Sequence, residues 1–380
     1  MMIQIIGAES LGVRGLSCSV ELKNRKIFID PGIALGLYRY RLLPHPFQIA
    51  VGTGIRKRIL EELESASDVV ISHFDGDHCP LREPNPYQLG LHQATNSLKD
   101  CRIWAKGPDK SSPKQQRRRK DLTERIRRDL PDAEGMEDDS LRFSLPVPHG
   151  RPSVGEHTVM MTRIEEDGEI FVHASDIQLT DAETIEKILD WKPDIVLVSG
   201  PPLYRYSSSS LQTLSEGAWR NALSLSENID VLIIDHHVLR SGEGIEWLEK
   251  LKRKAKGDIL CAADFMKREP IFLEAWRKEL YEWLPVSGSW HEDYAQKNFD
   301  LADYRKGGWD ALVAGNKIAP CKWYPCCPLR NYTDDGKLER DWVEKYCLVN
   351  NHSCLRYQME EKGEHHPDNM LPNGQIKRDL

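Results

Sequence analysis

The chain has 380 residues, a formal net charge of −7, 40% hydrophobic and 29% charged residues, and nine cysteines. At roughly 100–200 residues per domain, this length predicts one large domain plus an appendage. No run approaches the ~20 apolar residues of a membrane helix, and the opening MMIQIIGAES lacks the charged-then-apolar order of a secretory signal. A cytoplasmic protein with no membrane role is the expectation, and its mild acidity excludes a generic basic coat for nucleic acid while leaving room for a local patch.

Taken in chain order, Ile3–Gly7, Ser17–Leu22 and Lys26–Asp30 read as strands, the last running into the turn Pro31-Gly32. Ile55–Ala66 has helical spacing, Asp68–Ser72 is a short buried strand, Arg102–Trp104 the next strand, and Lys114–Leu130 a basic helix. Further strands are predicted at Phe143–Pro148, Thr158–Arg163 and Glu169–His173. Helices at Thr180–Leu189, Gly217–Glu227 and Ile245–Lys254 then alternate with strands at Ile195–Ser199, Val231–Asp235 and Asp258–Cys261, and a helix over Ile271–Leu284 closes the run. Strands in series followed by alternation predict layered sheets flanked by helices. Residues 1–285 are therefore read as one large domain, 286–318 as a polar linker, and 319–380 as a cysteine-rich module.

The segment that carries chemistry is Ile71-Ser72-His73-Phe74-Asp75-Gly76-Asp77-His78. His73, Asp75, Asp77 and His78 fall within six residues directly after an apolar strand, where a loop lets side chains converge without helical constraint. Imidazole and carboxylate donors suit Zn²⁺, Fe or Mn²⁺. The competing reading is an ordinary acidic loop.

With this loop the chain resembles the metallo-β-lactamase superfamily, whose members carry His-x-His-x-Asp-His after a strand; Asp75 stands where a second histidine is usual. The other stations of that family match in order: Asp30 after KIFID, His149 in PHG, Asp176 in HASDIQ, and His236 or His237 in VLIIDHH. The phrases ESLGVRGLSCSVE, DPGIALG, YRLLPHPFQ and IIDHHVLR are similar to an archaeal branch of that superfamily, and the resemblance covers roughly residues 1–285. It implies an α/β fold, a four-layer αββα sandwich with the site along one edge.

The resemblance also implies a ligand set. One ion would take His73, Asp75 and His149, and a second Asp77, His78 and His236 or His237, with Asp176 bridging. The step from His236 to Arg240 resembles the His-then-Arg arrangement of tRNA-processing members of that superfamily, which favours His236. Two Zn²⁺ ions about 3.5–4 Å apart would generate a hydroxide at neutral pH, with Asp77 and Asp176 as the catalytic carboxylates. Asp75 makes the first position harder and more anionic, which brings in Mn²⁺ or Fe as alternatives, or a one-metal enzyme. His173 competes with His149, although its reading as a core histidine is the simpler one, and His45 reads as structural or pocket-lining.

Two features lie outside the ligand set. Between Arg102 and Arg128, eleven Lys/Arg face only Asp109, Asp121 and Glu124. This patch, residues 102–128, could meet nucleic acid or another polyanion, or be a solvated face neutralised by the acidic stretch Asp129–Asp139. In the tail, Cys321, Cys326, Cys327, Cys347 and Cys354 fall within 34 residues. Four of them could close a thiolate site, with Zn²⁺ the first expectation and an iron–sulfur cluster the second. Cys326 and Cys327 compete for one position, and metal-free buried thiols are the plain alternative.

The expected function is a metal-dependent hydrolase, a phosphodiesterase or nuclease acting on RNA, DNA or a nucleotide. The alternatives are a hydrolase of a small thioester, lactone or amide, and a non-catalytic metal-stabilised module that binds nucleic acid or protein.

Overall fold

The computed structural model describes residues 1–150, 157–205, 208–283, 286–296, 301, 321, 323–324, 327–343, 346–347, 353–377 and 380. Strands β1 (Met2–Gly7), β2 (Ser17–Leu22), β3 (Arg25–Ile29), β4 (Asp68–Ile71) and β5 (Arg102–Ala105) form one sheet in that order. It is antiparallel from β1 to β3 and parallel from β3 to β5. Next come β6 (Glu137–Asp138) and β7 (Leu141–Phe143), a two-stranded ribbon of β8 (Val147–Pro148) and β9 (Thr158–Val159), and then β10 (Thr162–Glu166). The chain continues through β11 (Glu169–His173), β12 (Ile195–Val198), β13 (Val231–Ile234) and β14 (Asp258–Leu260). The second sheet has the order β14-β13-β12-β11-β10-β7-β6, with β11 to β14 parallel.

Strand alternation assigns the layers, because successive side chains point to opposite faces. Ile27, Ile29 and Val70 enter the cluster shared with Phe143, Ile164 and Phe171 of the second sheet. Their neighbours Phe28, Val69 and Ile71 enter another, built with helices α1 (Pro46–Ser65), α2 (Leu91–Asp100) and α3 (Pro113–Ile126). On the far face of the second sheet lie α4 (Ala182–Asp190), α5 (Ser208–Ser226) and α6 (Gly242–Lys252), through Ile188, Ala222, Leu248 and others. The order is helices, sheet, sheet, helices: the αββα sandwich expected. Each fully buried Ile, Leu, Val or Phe contributes about 1.5–3 kcal/mol. Among the described residues no helix is long and apolar enough to cross a membrane.

Several boundaries differ from the sequence reading. Helix α1 starts at Pro46, well before Ile55, because Pro46 sits at its first position and His45 Nδ1 accepts the Phe47 N–H at 3.2 Å. His45 is thus a buried helix cap. Helix α2 was not predicted; its buried residues Leu91, Ala94, Thr95 and Leu98 keep helical spacing despite poor helix formers between them. Phe143–Pro148 is divided between β7 and β8, and Ile271–Leu284 shortens to a helix over Arg277–Trp283. The expected linker 286–318 begins as part of the sandwich: Trp290 and Leu301 are buried in the cluster against α1 and α2. Residues 302–318 lie outside the described residues.

Two glycines let the β-strand exits lie directly on the ligand loop. A Cβ on Gly32 would stand 2.4 Å from the His78 carbonyl carbon and from the Cys79 nitrogen, and one on Gly15, at φ +127, 2.6 Å from the Asp77 oxygen. Both obstacles are backbone, which cannot swing aside. Gly32→Ala is expected to lower stability by about 3 kcal/mol or more. Gly54→Ala, on the exposed face of α1 with nothing within 4 Å, should gain about 0.5–1 kcal/mol. Thermal unfolding of the two variants checks this; an unchanged midpoint for Gly32→Ala would show that the loop does not press on β3.

Candidate metal centre

The parallel strands of both sheets end at one edge of the sandwich, and each predicted ligand lies just past a strand end. Asp30 follows β3, His73 to His78 follow β4, His149 follows β8, Asp176 follows β11, and His236 and His237 follow β13. Three of these exits turn through the left-handed region on a non-glycine residue: Asp30 at φ 49, Ser175 at φ 53 and His236 at φ 74. Such backbone costs of order 1–3 kcal/mol per residue and gathers where a site dictates the geometry.

Asp30 ties the loops together. Its carboxylate accepts the Ser72 N–H at 2.8 Å, the Ser72 hydroxyl at 2.6 Å, the Ser175 hydroxyl at 3.1 Å and His78 Nδ1 at 2.9 Å. With its Nδ1 proton on Asp30, His78 presents Nε2 to the site, the arrangement that carboxylates impose on metal-ligating histidines. Asp235 does the same for the other half. It accepts from Ser10, from the Ala262 N–H and from the His236 N–H, so the Asp-His-His segment is pinned to two distant loops.

Asp176 stands in the middle, only 2% exposed. Its Oδ1 lies 3.2 Å from His78 Nε2 and 3.5 Å from His236 Nε2. Its Oδ2 lies 3.2 Å from His149 Nε2, 3.5 Å from His237 Nε2 and 3.6 Å from His73 Nε2. Asp75 Oδ2 approaches His73 Nε2 at 3.7 Å, and Asp77 Oδ2 approaches His236 Nε2 at 3.4 Å. Donor atoms of Asp77, His78 and His236 all come within 4.8 Å of one another, as do those of His149, Asp176 and His237, and of Asp30, His73 and His78.

These residues fit divalent cations. His73 Nε2, His78 Nε2 and Asp176 Oδ1 are buried without a hydrogen-bond partner, which is costly unless something else meets them. Burial opposes ionisation of Asp176 and of Asp77, yet the surrounding histidines, and Arg240 beside Asp77, hold both carboxyls well below their ordinary range. Burial also opposes charge on His78, but Asp176 and Asp30 raise it well above its usual value. Burial and the Arg240 charge push His236 down to about 4, and His237 lies well below its usual value, with burial the main cause. His236 and His237 are thus held as neutral imidazoles among ionised carboxylates, the donor state a metal needs, while at His78 a cation would take the place of the proton that Asp176 and Asp30 favour.

The two adjacent histidines part company. His236 turns toward Asp77 and His78, and His237 toward His149 and Asp176. Ser199 Oγ, which bonds the Ile177 carbonyl, lies 3.4 Å from His237 Nδ1, so Nε2 of that ring is free to donate its lone pair. On His236 the Gly15 N–H points at Nδ1 at 3.1 Å, and Arg240 Nη2 stands 2.7 Å from Nε2. His237 therefore has the simpler ligand environment, contrary to the preference for His236. Arg240 is buried; its guanidinium also reaches Asp77 Oδ2 at 3.3 Å, Glu9 Oε2 at 3.2 Å and the Tyr204 hydroxyl at 3.2 Å. Tyr204 carried no signal in the sequence, and Glu9 and Gly15, although within ESLGVRGLSCSVE, were not marked there as site residues. His173 is a core residue, its Nε2 on the Leu16 carbonyl at 2.9 Å.

Much of the basic run is spent internally. Arg119 bonds Asp132, Arg102 bonds Asp138, and buried Lys106 lies 3.3 Å from Glu134, so the acidic stretch does neutralise part of it. Helix α3 nevertheless abuts the ligand loop. Arg118 Nη1 donates to the Phe74 carbonyl at 2.7 Å and to Asp75 Oδ1 at 3.4 Å, and Gln115 Nε2 donates to Asp75 Oδ1 at 3.3 Å. Beside it opens a cavity of about 490 Å³ lined by Arg82, Lys114, Arg117 and Arg118, with Glu83 and Asp121 as its acids. In the tail, Cys321, Cys327, Cys347 and Cys354 line a separate cavity; Cys326 lies outside the described residues.

No protein-family model matches the chain. Among solved structures it is similar to the metallo-β-lactamase fold protein YhfI from Bacillus subtilis, at 12% identity and a TM-score of 0.42, covering 68% of this chain and 95% of that one. It is 32% identical over 301 residues to a UPF0282 protein of Thermococcus gammatolerans, covering 74% of this chain and 95% of the relative. A UPF0282 protein of Methanosarcina mazei is 48% identical over 304 residues, covering 80% of this chain and 99% of the relative. At that identity over that share of its length, the chain belongs to the UPF0282 family.

Proposed function

We propose that this chain is a metal-dependent hydrolase that cleaves a phosphodiester in RNA, DNA or a nucleotide. The observation that carries the reading is Asp176, whose two carboxylate oxygens face two different sets of histidines. On this reading His73, Asp75, His149 and His237 would hold one divalent ion, Asp77, His78 and His236 would hold the other, and Asp176 would serve both. Such a pair lowers the pKa of water and polarises the bond under attack. Zn²⁺ suits the imidazoles, while Asp75 favours Mn²⁺ or Fe at the first position.

The chain's own groups supply positioning. Arg240 holds Asp77 from one side, so this carboxylate can orient the attacking water. Arg118 and Gln115 hold Asp75 from the other. Lys114 and Arg117, exposed on α3, extend the positive wall beyond the ligand loop, where guanidinium and ammonium groups meet phosphate oxygens. On the Arg240 side, Arg39 lies over the Tyr204 ring at 4.5 Å and over Tyr40 at 4.8 Å, with Tyr40 48% exposed. Aromatic and cationic groups thus flank the centre, a combination that suits a nucleotide better than a thioester or lactone.

Purified protein is expected to cleave labelled single-stranded RNA or DNA when Mn²⁺ or Zn²⁺ is present, and Asp77→Ala is expected to lose that cleavage. Cleavage that survives both a chelator and the substitution would contradict the reading. Failure of cleavage in metal-loaded protein would move small thioesters and lactones forward.

Lys114 and Arg117 give a separate prediction. The double variant Lys114→Ala/Arg117→Ala should bind a polynucleotide more weakly and reduce the salt slope of binding by about 2. Turnover of a small chromogenic phosphodiester should be unchanged. An unchanged salt slope would remove α3 from the substrate path.

A further inference from the structure

Outside the sandwich, the densest set of unexplained side chains is in the tail. Cys321, Cys327, Cys347 and Cys354 come from three separate stretches of chain, are all free thiols, and line a single cavity of about 280 Å³. Cys321, Cys347 and Cys354 are buried, and the Cys321 N–H donates to the Cys347 carbonyl at 2.7 Å, which holds two of the stretches together. Among the described residues the module has little apolar core of its own. Its apolar side chains form two small clusters, one around Trp323, Tyr324 and Val343, the other around Leu329, Leu338 and Leu371. A core that small ordinarily needs a covalent or metal staple.

The cavity also carries positive charge. Arg356 is buried, with Nη1 fixed by the carbonyls of Pro367, Asp368 and Met370 at 2.8–2.9 Å. Arg356 lines the same cavity as the four thiols. A guanidinium held beside four thiols by three backbone carbonyls is arranged to compensate an anionic group.

The spacing of the thiols discriminates between occupants. A tetrahedral zinc with Zn–S distances of about 2.3 Å would bring its sulfurs to about 3.8 Å from one another. Among the described residues, the groups whose donor atoms all close to within 4.8 Å are the histidine–aspartate sets of the sandwich, and no trio of these cysteines is among them. Four thiols that line one cavity without closing on a common point, next to a fixed cation, match a larger anionic centre that takes four cysteine ligands.

We propose that Cys321, Cys327, Cys347 and Cys354 hold an iron–sulfur cluster, which staples the tail at its junction with α6. That junction is defined by Glu246, Lys250 and Arg253, which line the same cavity, and by the Arg253–Glu360 ion pair at 2.7 Å. The inference reverses the order in which zinc and iron–sulfur were expected, and it is independent of the phosphodiesterase reading.

The test is the full chain purified without oxygen, with iron, zinc and acid-labile sulfide measured per chain alongside the visible spectrum. Expected are labile sulfide in amounts comparable to part of the iron, and a broad visible absorption. Both should be lost in Cys347→Ser and Cys354→Ser and kept in Cys326→Ser. Sulfide separates this centre from iron in the sandwich, where the ligands are histidine and aspartate. It also decides the matter in the unsubstituted chain if the serine variants fail to fold. Zinc without labile sulfide, or no metal dependent on these cysteines, would overturn the proposal.

Discussion

A buried carboxylate ringed by imidazoles is the constraint on which the rest of this structure depends. Taking an ionised group out of water costs several kcal/mol unless opposite charge and hydrogen bonds are built around it. Asp176 is buried, as is Asp30, and Asp77 lies against them with Asp75 at the rim. The fixed positive charges against them are Arg240 beside Asp77 and Arg118 beside Asp75, with His78 lying between Asp30 and Asp176. Oxygen and nitrogen lone pairs are left pointing into a common space. Divalent cations would satisfy that balance.

The fold meets that constraint by taking side chains from both sheets. Parallel strands β3 and β4 deliver Asp30 and the His73–His78 loop, and β11 and β13 deliver Asp176 and the two adjacent histidines. In open parallel sheets the C-terminal strand ends are where loops converge on a ligand, and here two sheets present such ends to one another. Asp30 and Asp235 then lock the loops, each accepting from residues far away in the chain. Ligands restrained by their own hydrogen bonds need little rearrangement to receive an ion.

Much of this was legible in the sequence. Strand runs giving way to alternation point to layered sheets flanked by helices, the resemblance supplied the αββα order, and the expected histidines and aspartates gather at one edge, with Asp75 at its rim, because each stands past the end of an apolar strand. What was not legible depends on long-range placement. Whether His236 or His237 faces a given partner turns on one left-handed residue, His236 itself, and on Gly15, Ser199 and Arg240 approaching from other loops. Helix α2 escaped because Asn96, Ser97 and Thr95 are weak helix formers, and only packing against α1 and α3 sustains it. The basic run looked uniform, yet Arg119 and Lys106 are tied to the acidic stretch while Lys114 and Arg117 face a cavity. Charge counts along a chain carry no such distinction.

The most direct measurement of the central claim is anomalous scattering from crystals grown with Mn²⁺. The account predicts two peaks, one on each side of the Asp176 carboxylate, the first beside His73, His149 and His237 and the second beside Asp77, His78 and His236. A single peak, with the Arg240 guanidinium filling the second position, would contradict the bridging role of Asp176.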